Sequence, residues 1–395
     1  MFDSIFIGMS GLQSFSKGLK VISNNVANMN TAGFKSTTLN FGDMYYQQGA
    51  SGFRASYGGA QFGTGVAALG THVNFQQGDT RQTGNPLDMS IAGEGFFVTQ
   101  DANGGDHVYT RVGQFDFDDA GYLVEKGTDR RVLGFNSNGT LVPISLDAMR
   151  NNSPQATTEI EFLGNLSSTA TAHSINSVKL IDSLGAEHTV RLDLAAKTGE
   201  TGVWTVKMVD GTTETAVGEI KFTAGTPAAS NVLTLNYAPA GLPAFGVTLD
   251  FSKSITSFAS GTSSTLTVAS SDGVVAGTLS QVTFDETGVM TVTYSNGEES
   301  TGMQLALAQF ESTDALVQTT GGGFTASDPK DAQIGRPGSK GLGNIASSQV
   351  EGSNVNLSAE FSELIVMQRG YQASSQIVST ANDMLRELFE MKGRG

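Results

Sequence analysis

The chain has 395 residues, a formal net charge of −15 and no cysteine. This length predicts two or three domains, because a single core rarely grows so large. The absence of cysteine excludes disulfides and thiolate metal sites. The acidity argues against nucleic acid as a partner, since nucleic acid recruits basic surfaces.

The N-terminal segment has the spacing of an amphipathic helix. Its apolar residues recur at intervals of three, four and seven, and serine and glycine occupy the opposite face. The stripe consists of Phe2, Ile5, Phe6, Met9, Leu12, Leu19, Ile22 and Val26. The pattern stops in the run 24–33, which is rich in Asn and Gly, the residues that most readily end a helix in the left-handed conformation.

The C-terminal segment predicts a second, longer helix over 357–391. No proline interrupts it, Gly370 is its weakest point, and Asn356 and Ser358 are competing N-caps. Its apolar stripe consists of Leu357, Phe361, Leu364, Tyr371, Val378, Leu385 and Leu388. Because a helix with such a stripe is unstable alone in water, the two helices need partners: each other, neighbouring copies, or both.

The formal charge is unevenly distributed between the ends and the middle. Residues 1–35 carry +2 and residues 355–395 carry −1, so the middle holds −16. Near-neutral ends can pack against copies of themselves, whereas an acidic middle stays solvated.

The middle of the chain is predicted to be β-structure in two domains. The pattern F-D-acid-x-G, typical of a tight turn between strands, occurs at 117–121 and again at 284–288. These two copies flank a segment of different composition, rich in Ser, Thr, Ala and Gly. We therefore expect an inner β-domain formed by 76–145 and 279–354, with 146–278 inserted into it as an outer β-domain.

No group of residues in the sequence predicts catalysis, a cofactor or a metal. The four histidines lack the spacing of metal ligands. The run Asp116–Gly121 resembles a calcium loop, but Ala120 offers no oxygen and Gly127 stands where the bidentate Glu belongs. A structural protein is the favoured interpretation. An enzyme or a carbohydrate-binding β-protein that uses the acidic middle is the alternative.

One run near the N-terminus resembles the signature of the bacterial flagellar rod, hook and hook-associated protein family. The residues that carry it are Asn24, Asn25, Asn28, Thr31, Gly33, Phe34 and Lys35. Further blocks at 85–97, 109–115, 354–358 and 368–373 are similar to other parts of the family. The resemblance covers roughly 1–145 and 280–395, and leaves out the segment predicted to be the outer domain.

The resemblance implies a fold, mainly β with helical termini that pair as a coiled coil, and a non-enzymatic function. The chain's length and inserted domain are similar to those of hook subunits, which polymerise into a curved flexible tube that transmits torque from motor and rod to filament. A distal-rod or hook-associated subunit is the alternative within the family. The terminal stripes would then be self-assembly surfaces, and 34–75 an extended connecting segment that reaches a neighbour.

The resemblance also implies partners and a location. The partners would be other copies of the chain, the distal rod, the hook cap, the hook–filament junction proteins and the type III export apparatus. The location would be extracellular, with export that needs no cleaved signal peptide. Neither nucleic acid nor membrane insertion is expected, since no apolar run in the sequence reaches the length of a membrane span.

Overall fold

The computed structural model describes residues 2–44, 46–48, 61–239, 241 and 243–392. It has one helix at each end, α1 (Phe2–Ala27) and α2 (Leu357–Lys392), and the rest is mainly β. The predicted fold class, mainly β with paired helical termini, is confirmed. The chain divides into two compact units: unit 1 is Met1–Asp147, Val282–Thr291 and Thr301–Gly395, and unit 2 is Ala148–Gln281 and Val292–Ser300.

The strands are short and follow one another closely along the chain. The first twelve are β1 (Thr37–Asp43), β2 (Tyr46–Gln48), β3 (Gln61–Gly63), β4 (Val66–Val73), β5 (Thr80–Gln82), β6 (Met89–Ala92), β7 (Phe96–Asp101), β8 (His107–Thr110), β9 (Phe115–Phe117), β10 (Leu123–Glu125), β11 (Arg130–Phe135) and β12 (Leu141–Pro143). The next ten are β13 (Asn151–Asn152), β14 (Glu159–Asn165), β15 (Ala172–Ile181), β16 (Glu187–Ala196), β17 (Val203–Asp210), β18 (Thr213–Thr223), β19 (Thr226–Pro227), β20 (Val232–Tyr237), β21 (Phe245–Thr256) and β22 (Thr267–Ser271). The last nine are β23 (Gly277–Phe284), β24 (Val289–Tyr294), β25 (Glu299–Leu305), β26 (Leu307–Phe310), β27 (Leu316–Gln318), β28 (Gly323–Ala326), β29 (Ala332–Gly335), β30 (Asn344–Ser347) and β31 (Gln349–Glu351).

The start of α2 is fixed by a side-chain cap. The Asn356 Oδ1 accepts hydrogen bonds from the backbone N–H groups of Ser358 and Ala359, at 3.1 and 3.2 Å. Asn356 is therefore the N-cap, and Ser358 lies inside the first turn. The helix continues without interruption through Gly370, so the predicted weak point does not break it.

The described part of the 34–75 segment forms a long hairpin. Strands β1 and β4 pair antiparallel, from Thr37 opposite Val73 to Asp43 opposite Val66, with one irregularity between Asn40 and Phe41. The hairpin lies along α1, where the Ser14 hydroxyl donates to the Val66 carbonyl at 3.2 Å. Residues 49–60, part of the predicted connecting segment, lie outside the described residues.

The β part of unit 1 is built around aromatic side chains. Strands β11, β7, β8, β28 and β27 are neighbours in one sheet. Strand β26 pairs with β7 in the same sheet. Buried rings of this sheet meet edge to face, with Tyr109 and Phe310 centroids 4.8 Å apart and Phe96 and Phe310 centroids 5.9 Å apart. Such edge-to-face pairs add to the stabilisation that their buried area already gives.

Unit 2 contains a core shared by two sheets. One sheet has the order β20-β21-β14-β22 and the other β15-β16-β17-β18-β19. Inward-facing residues alternate with exposed ones along β16, as expected for strands with one face in a core. Trp204 is buried in this core, as are Phe162 and Phe251, whose rings stack 4.2 Å apart.

The two copies of the repeated turn pattern form the same local structure. Asp118 Oδ1 accepts from the Tyr122 N–H at 2.7 Å, and Asp285 Oδ1 accepts from the Val289 N–H at 2.8 Å. In each turn the glycine N–H also donates to the carbonyl of the aspartate, at 2.9 Å. Both copies are therefore tight turns between strands, as predicted.

Candidate assembly surface

The face of α1 that contacts α2 includes the small residues Gly8 and Gly11. A Cβ added to Gly8 would lie 2.7 Å from Val378 Cγ2, and one added to Gly11 would lie 2.5 Å from Ser374 Oγ. These separations are too short for any larger side chain without a shift, so the two backbones approach closely here. The intrachain helix pair therefore depends on the close approach at Gly8 and Gly11 and not only on larger apolar side chains of α1.

The predicted stripe of α1 is only partly buried within the chain. Ile22 is 3% exposed, whereas Met9 is 57% exposed. The remaining stripe residues whose side chains are described are half-buried, apart from the exposed Phe6: Ile5, Leu12, Leu19 and Val26. Part of this stripe, above all Phe6 and Met9, is therefore available to another molecule.

The face of α2 toward α1 repeats every seven residues. One series of positions is buried or nearly so: Glu360, Met367, Ser374 and Ala381. A second series, which belongs to the predicted stripe, is half-buried except for the 41%-exposed Tyr371: Leu357, Leu364, Tyr371, Val378 and Leu385. This heptad spacing is that of a coiled-coil seam. The other two predicted stripe residues, Phe361 and Leu388, are 50% and 49% exposed.

Gly370 has a specific packing role in this seam. A Cβ there would lie 2.6 Å from two ring carbons of Phe15, so the ring of Phe15 packs directly over the α2 backbone. The sequence marked this glycine as a weakness, and the structure shows it as the site that accommodates an aromatic ring.

The asparagines of the family signature bind the end of α1 to its surroundings. The Asn25 amide donates to the Thr37 carbonyl at 2.8 Å and to Glu360 Oε1 at 2.9 Å, and its Oδ1 accepts from the Thr37 N–H at 3.0 Å. One side chain thus joins α1, β1 and α2. Asn28 donates to the Asn24 carbonyl at 2.9 Å and so stabilises the last turn.

The remaining signature residues turn the chain away from α1. Thr31 Oγ1 donates to Asn28 Oδ1 at 3.1 Å. Gly33 has φ of +67°, and a Cβ there would lie 2.7 Å from the Val112 backbone nitrogen, so this position requires glycine. Phe34 is buried, and the Gly33 N–H donates to the Glu351 carbonyl at 2.8 Å.

Lys35, the last signature residue, belongs to a buried cluster that we call the charge triad: Lys35, Arg111 and Glu351. The Lys35 ammonium contacts Glu351 Oε1 at 2.5 Å, and the Arg111 guanidinium contacts Oε2 at 3.1 Å. The three side chains are 0%, 5% and 0% exposed, in the order Lys35, Arg111, Glu351. The triad joins segments that are 240 and 316 residues apart in the chain.

The hydrogen bonds of the triad are mostly satisfied. Lys35 also donates to the Gln76 carbonyl at 2.8 Å, Arg111 to the Gly93 carbonyl at 2.8 Å, and Glu351 accepts from the Gly78 N–H at 3.0 Å. Burial lowers the pKa of Lys35, and the Glu351 charge opposes that shift. Sequence reasoning identified Lys35 by resemblance and missed Glu351, because nothing in the sequence links positions so far apart.

A second buried ion pair lies in unit 1. Arg130 Nη2 is 2.9 Å from Glu125 Oε2, and both side chains are at most 8% exposed. Burial raises the pKa of Glu125 to about 7, and the Arg130 charge only partly opposes the shift. The carboxyl therefore titrates near neutral pH.

Unit 2 carries one close group of carboxylates among the described residues, formed by Glu159, Glu161 and Asp250. The Lys253 ammonium lies 2.8 Å from Glu161 Oε1 and 3.0 Å from Asp250 Oδ2. The chain's own cation therefore balances this acidic group.

Neither helix of the described residues is long and apolar enough to span a membrane.

Three family models match segments of the chain. "Flagella basal body rod protein" matches residues 5–35, "Flagellar hook protein FlgE/F/G D1 domain" matches 90–157, and "Flagellar basal body rod FlgEFG protein C-terminal" matches 346–391. Each member of the charge triad lies in a different one of these segments. The matched segments thus include all three members of the charge triad.

Curated relatives align over nearly the whole chain. The flagellar hook protein FlgE of Treponema pallidum is 29% identical over 99% of this chain and 100% of its own length. FlgE of Salmonella typhimurium is 28% identical, covering 97% and 98%. The basal-body rod protein FlgG of Bacillus subtilis is 25% identical, covering 99% and 100%. The crystal structure of Helicobacter pylori FlgE2 is 13% identical, covers 67% of this chain and 98% of its own, and has a TM-score of 0.49, too low to decide the fold.

The chain is similar to the flagellar rod and hook proteins in three separate segments. Several of the relatives that align end to end with it are flagellar hook proteins. The resemblance found in the sequence is thereby confirmed.

Proposed function

We propose that this chain is a structural subunit that polymerises through its two terminal helices into the flagellar hook. The observation that carries the proposal is the apolar surface of the helical termini. Phe6, Met9, Ile365, Val366 and Phe389 are between 55% and 72% exposed, and all lie on α1 or α2. Exposed apolar side chains concentrated on two helices indicate an interaction site.

The proposal assigns different tasks to the two units. The helices supply the apolar contacts that hold copies together. The acidic, polar surface of unit 2 supplies weak contacts between neighbours, and contacts worth little individually rearrange at small cost. A tube held by strong contacts between helices and weak contacts between copies of unit 2 bends easily and transmits torque.

The same proposal includes the partners and the location. The chain would leave the cell through the type III export apparatus, assemble beneath the hook cap on the distal rod, and end at the hook–filament junction. An epitope tag inserted in unit 2 should appear, by immunogold labelling of isolated flagella, only on the curved segment between rod and filament. Label on the rod would favour the distal-rod alternative.

The helical contacts are tested by substituting an exposed valine on α2. Val366 is 62% exposed, so Val366→Asp leaves the intrachain seam intact and should abolish polymer in sedimentation and electron microscopy. Val317→Asp, at a 57%-exposed valine on β27, is the matched control and should polymerise normally. Tubes formed by Val366→Asp would remove the basis of the proposal.

A further inference from the structure

Three turns of the protein are built in the same way around an Asn–Gly pair. The pairs are Asn103–Gly104, Asn138–Gly139 and Asn296–Gly297. In each turn the glycine N–H donates to the carbonyl three residues earlier, at 2.9, 2.9 and 3.0 Å in chain order. The three glycines have φ between +74° and +84°. The turns therefore share their closing hydrogen bond and their glycine conformation, and they differ in what surrounds the asparagine side chain.

An asparagine that precedes glycine reacts with its own backbone. The glycine nitrogen forms a bond to Cγ of the asparagine, and the bond from Cγ to Nδ2 breaks. Nδ2 and its two hydrogens leave as ammonia, together with the proton of the glycine N–H, and a five-membered succinimide remains. Water then opens this ring at either carbonyl, which gives aspartate or isoaspartate. Glycine favours the attack because it has no Cβ in the path of the carboxamide.

The carboxamide of Asn296 is held away from this reaction. Its Nδ2 donates to the Val275 carbonyl at 2.8 Å, and its Oδ1 accepts from the Glu298 N–H at 3.1 Å. A Cβ added to Gly277 would lie 2.7 Å from Cγ of Asn296, so the carboxamide packs directly on the backbone of Gly277. Attack at Cγ therefore requires both hydrogen bonds to break.

The side chains of Asn103 and Asn138 are not held. Both residues are exposed, and neither side chain has a hydrogen-bond partner among the described residues. The space beside each following glycine is open, because a Cβ built there would meet no atom within 4 Å. The same is true beside Gly297, so the difference between the turns lies in the asparagine side chain itself.

We propose that Asn103 and Asn138 are sites of spontaneous deamidation in the folded protein, and that Asn296 is protected by its two hydrogen bonds. Each conversion replaces a neutral carboxamide by a carboxylate and adds one negative charge to unit 1. Isoaspartate also adds one atom to the main chain of the turn. At Asn138 this addition disturbs the bonds by which Asn136 Oδ1 accepts from the N–H groups of Asn138 and Thr140, at 3.0 and 2.9 Å.

The expected difference in rate follows from the two hydrogen bonds. Opening the closing hydrogen bond of the turn costs a similar amount at all three sites, since the bond is the same. At Asn296 two further hydrogen bonds of ordinary strength must break first, which should slow the reaction by about 30-fold. Exposed turns open locally at small cost, so Asn103 and Asn138 should react without global unfolding.

The experiment incubates the folded full chain at mildly alkaline pH, where hydroxide removes the glycine N–H proton more readily. Mass spectrometry of the digested protein measures the converted fraction at each asparagine, and labelling by an isoaspartyl methyltransferase identifies isoaspartate. Asn103 and Asn138 should convert about 30-fold faster than Asn296. In a parallel sample unfolded in urea, all three should convert at similar rates. Asn138→Gln should remove the signal of its own turn and leave that of Asn103.

A matched pair of glycine substitutions in unit 2 tests the cause of the protection. The methyl group of Gly277→Ala takes the place of the Asn296 carboxamide, so Asn296 should then convert about as fast as Asn138. Gly246→Ala is the control, because its methyl group would lie 3.6 Å from the nearest atom and should leave Asn296 protected. Native Trp204 fluorescence confirms that unit 2 of each variant is folded.

Two results would overturn the proposal. The first is a folded wild-type chain in which Asn103 and Asn138 convert no faster than Asn296, and this comparison does not depend on how any variant folds. The second is a folded Gly277→Ala variant in which Asn296 converts as slowly as in wild type, since its hydrogen bonds would then not be what protects it.

Discussion

Replacing Glu351 by Gln should destabilise unit 1 far more than replacing either of its cationic partners. The Glu351 carboxylate is 0% exposed and is the only anion of the charge triad, so the substitution leaves Lys35 and Arg111 buried side by side without compensation. Gln has nearly the same shape, so the change removes charge rather than packing volume.

The expected loss follows from the burial of the triad. Breaking a buried ion pair by removing one partner costs about 3–5 kcal/mol, because the other charge stays desolvated. Lys35→Met leaves the neutral Arg111–Glu351 pair and an unpaired Gln76 carbonyl, and should cost only about 1–3 kcal/mol. The glutamate variant therefore costs more because it leaves two buried positive charges, whereas the lysine variant leaves a neutral pair.

The assay must separate the two units. Trp204, the only tryptophan, lies in the core of unit 2, so its fluorescence reports unit 2 and serves as an internal control. Hydrogen exchange of β7 and β8 reports unit 1. There Glu351→Gln should speed exchange by roughly 10²- to 10³-fold, since each 1.4 kcal/mol is tenfold, while the urea transition of Trp204 stays in place.

The pH dependence of the same variant has a defined sign. Burial lowers the folded-state pKa of Lys35 below 10.5, so its proton is released more readily in the folded than in the unfolded chain. Without the Glu351 charge this release begins at lower pH, and the deficit of Glu351→Gln should shrink as pH rises toward 10. Equal losses for Glu351→Gln and Lys35→Met, or a deficit that grows with pH, would refute the reasoning.

Two further predictions concern the seam and the second ion pair. Gly370→Ala should destabilise the helix pair by about 1 kcal/mol, because the clash with Phe15 outweighs the gain in helix propensity. In a Phe15→Ala background, Gly370→Ala should instead stabilise the helix pair. Hydrogen exchange of α2 measures whether each change stabilises or destabilises the pair. A stabilising effect in both backgrounds would contradict the packing of Phe15 over Gly370. The pKa of Glu125 is raised to about 7 in the folded chain. The Glu125 carboxyl therefore contributes most to the stability of unit 1 below pH 5, and this contribution is lost as pH rises through 7. The free energy of unfolding of unit 1 should therefore fall by up to roughly 3 kcal/mol between pH 5 and 8, at 1.36 kcal/mol per pKa unit. Glu125→Gln should abolish this pH dependence. A variant that keeps the wild-type pH dependence would exclude Glu125 as its source.

The heptad positions of α2 could be predicted from sequence, but the contact face of α1 could not. Leu364, Val378 and Leu385 are apolar and recur at seven, so periodicity finds them. Gly8 and Gly11 have no side chain, so no measure of hydrophobicity marks them, although they allow the two helices to approach closely. Hydrophobic spacing identifies the face of a helix that favours burial. On α1 that face is partly exposed in the single chain, so the spacing does not identify the face that contacts α2.

The charge triad could likewise be predicted only in part from the sequence. Lys35 was found through a resemblance, but its two partners depend on how strands β8 and β31 are placed, and that placement is set by the tertiary fold. The role of the terminal stripes in assembly remains a prediction, tested by the variants described above.

The positions of the charge triad in the sequence determine the order in which its members are synthesised. A chain that emerges amino end first presents Lys35 and then Arg111 with no anion to neutralise them, and Glu351 arrives only after every residue of unit 2, which ends at Ser300. Unit 2 therefore has all its residues while unit 1 still lacks its counter-charge. The last segment to appear supplies both Glu351 and α2, so the step that completes the charge triad also delivers the second terminal helix.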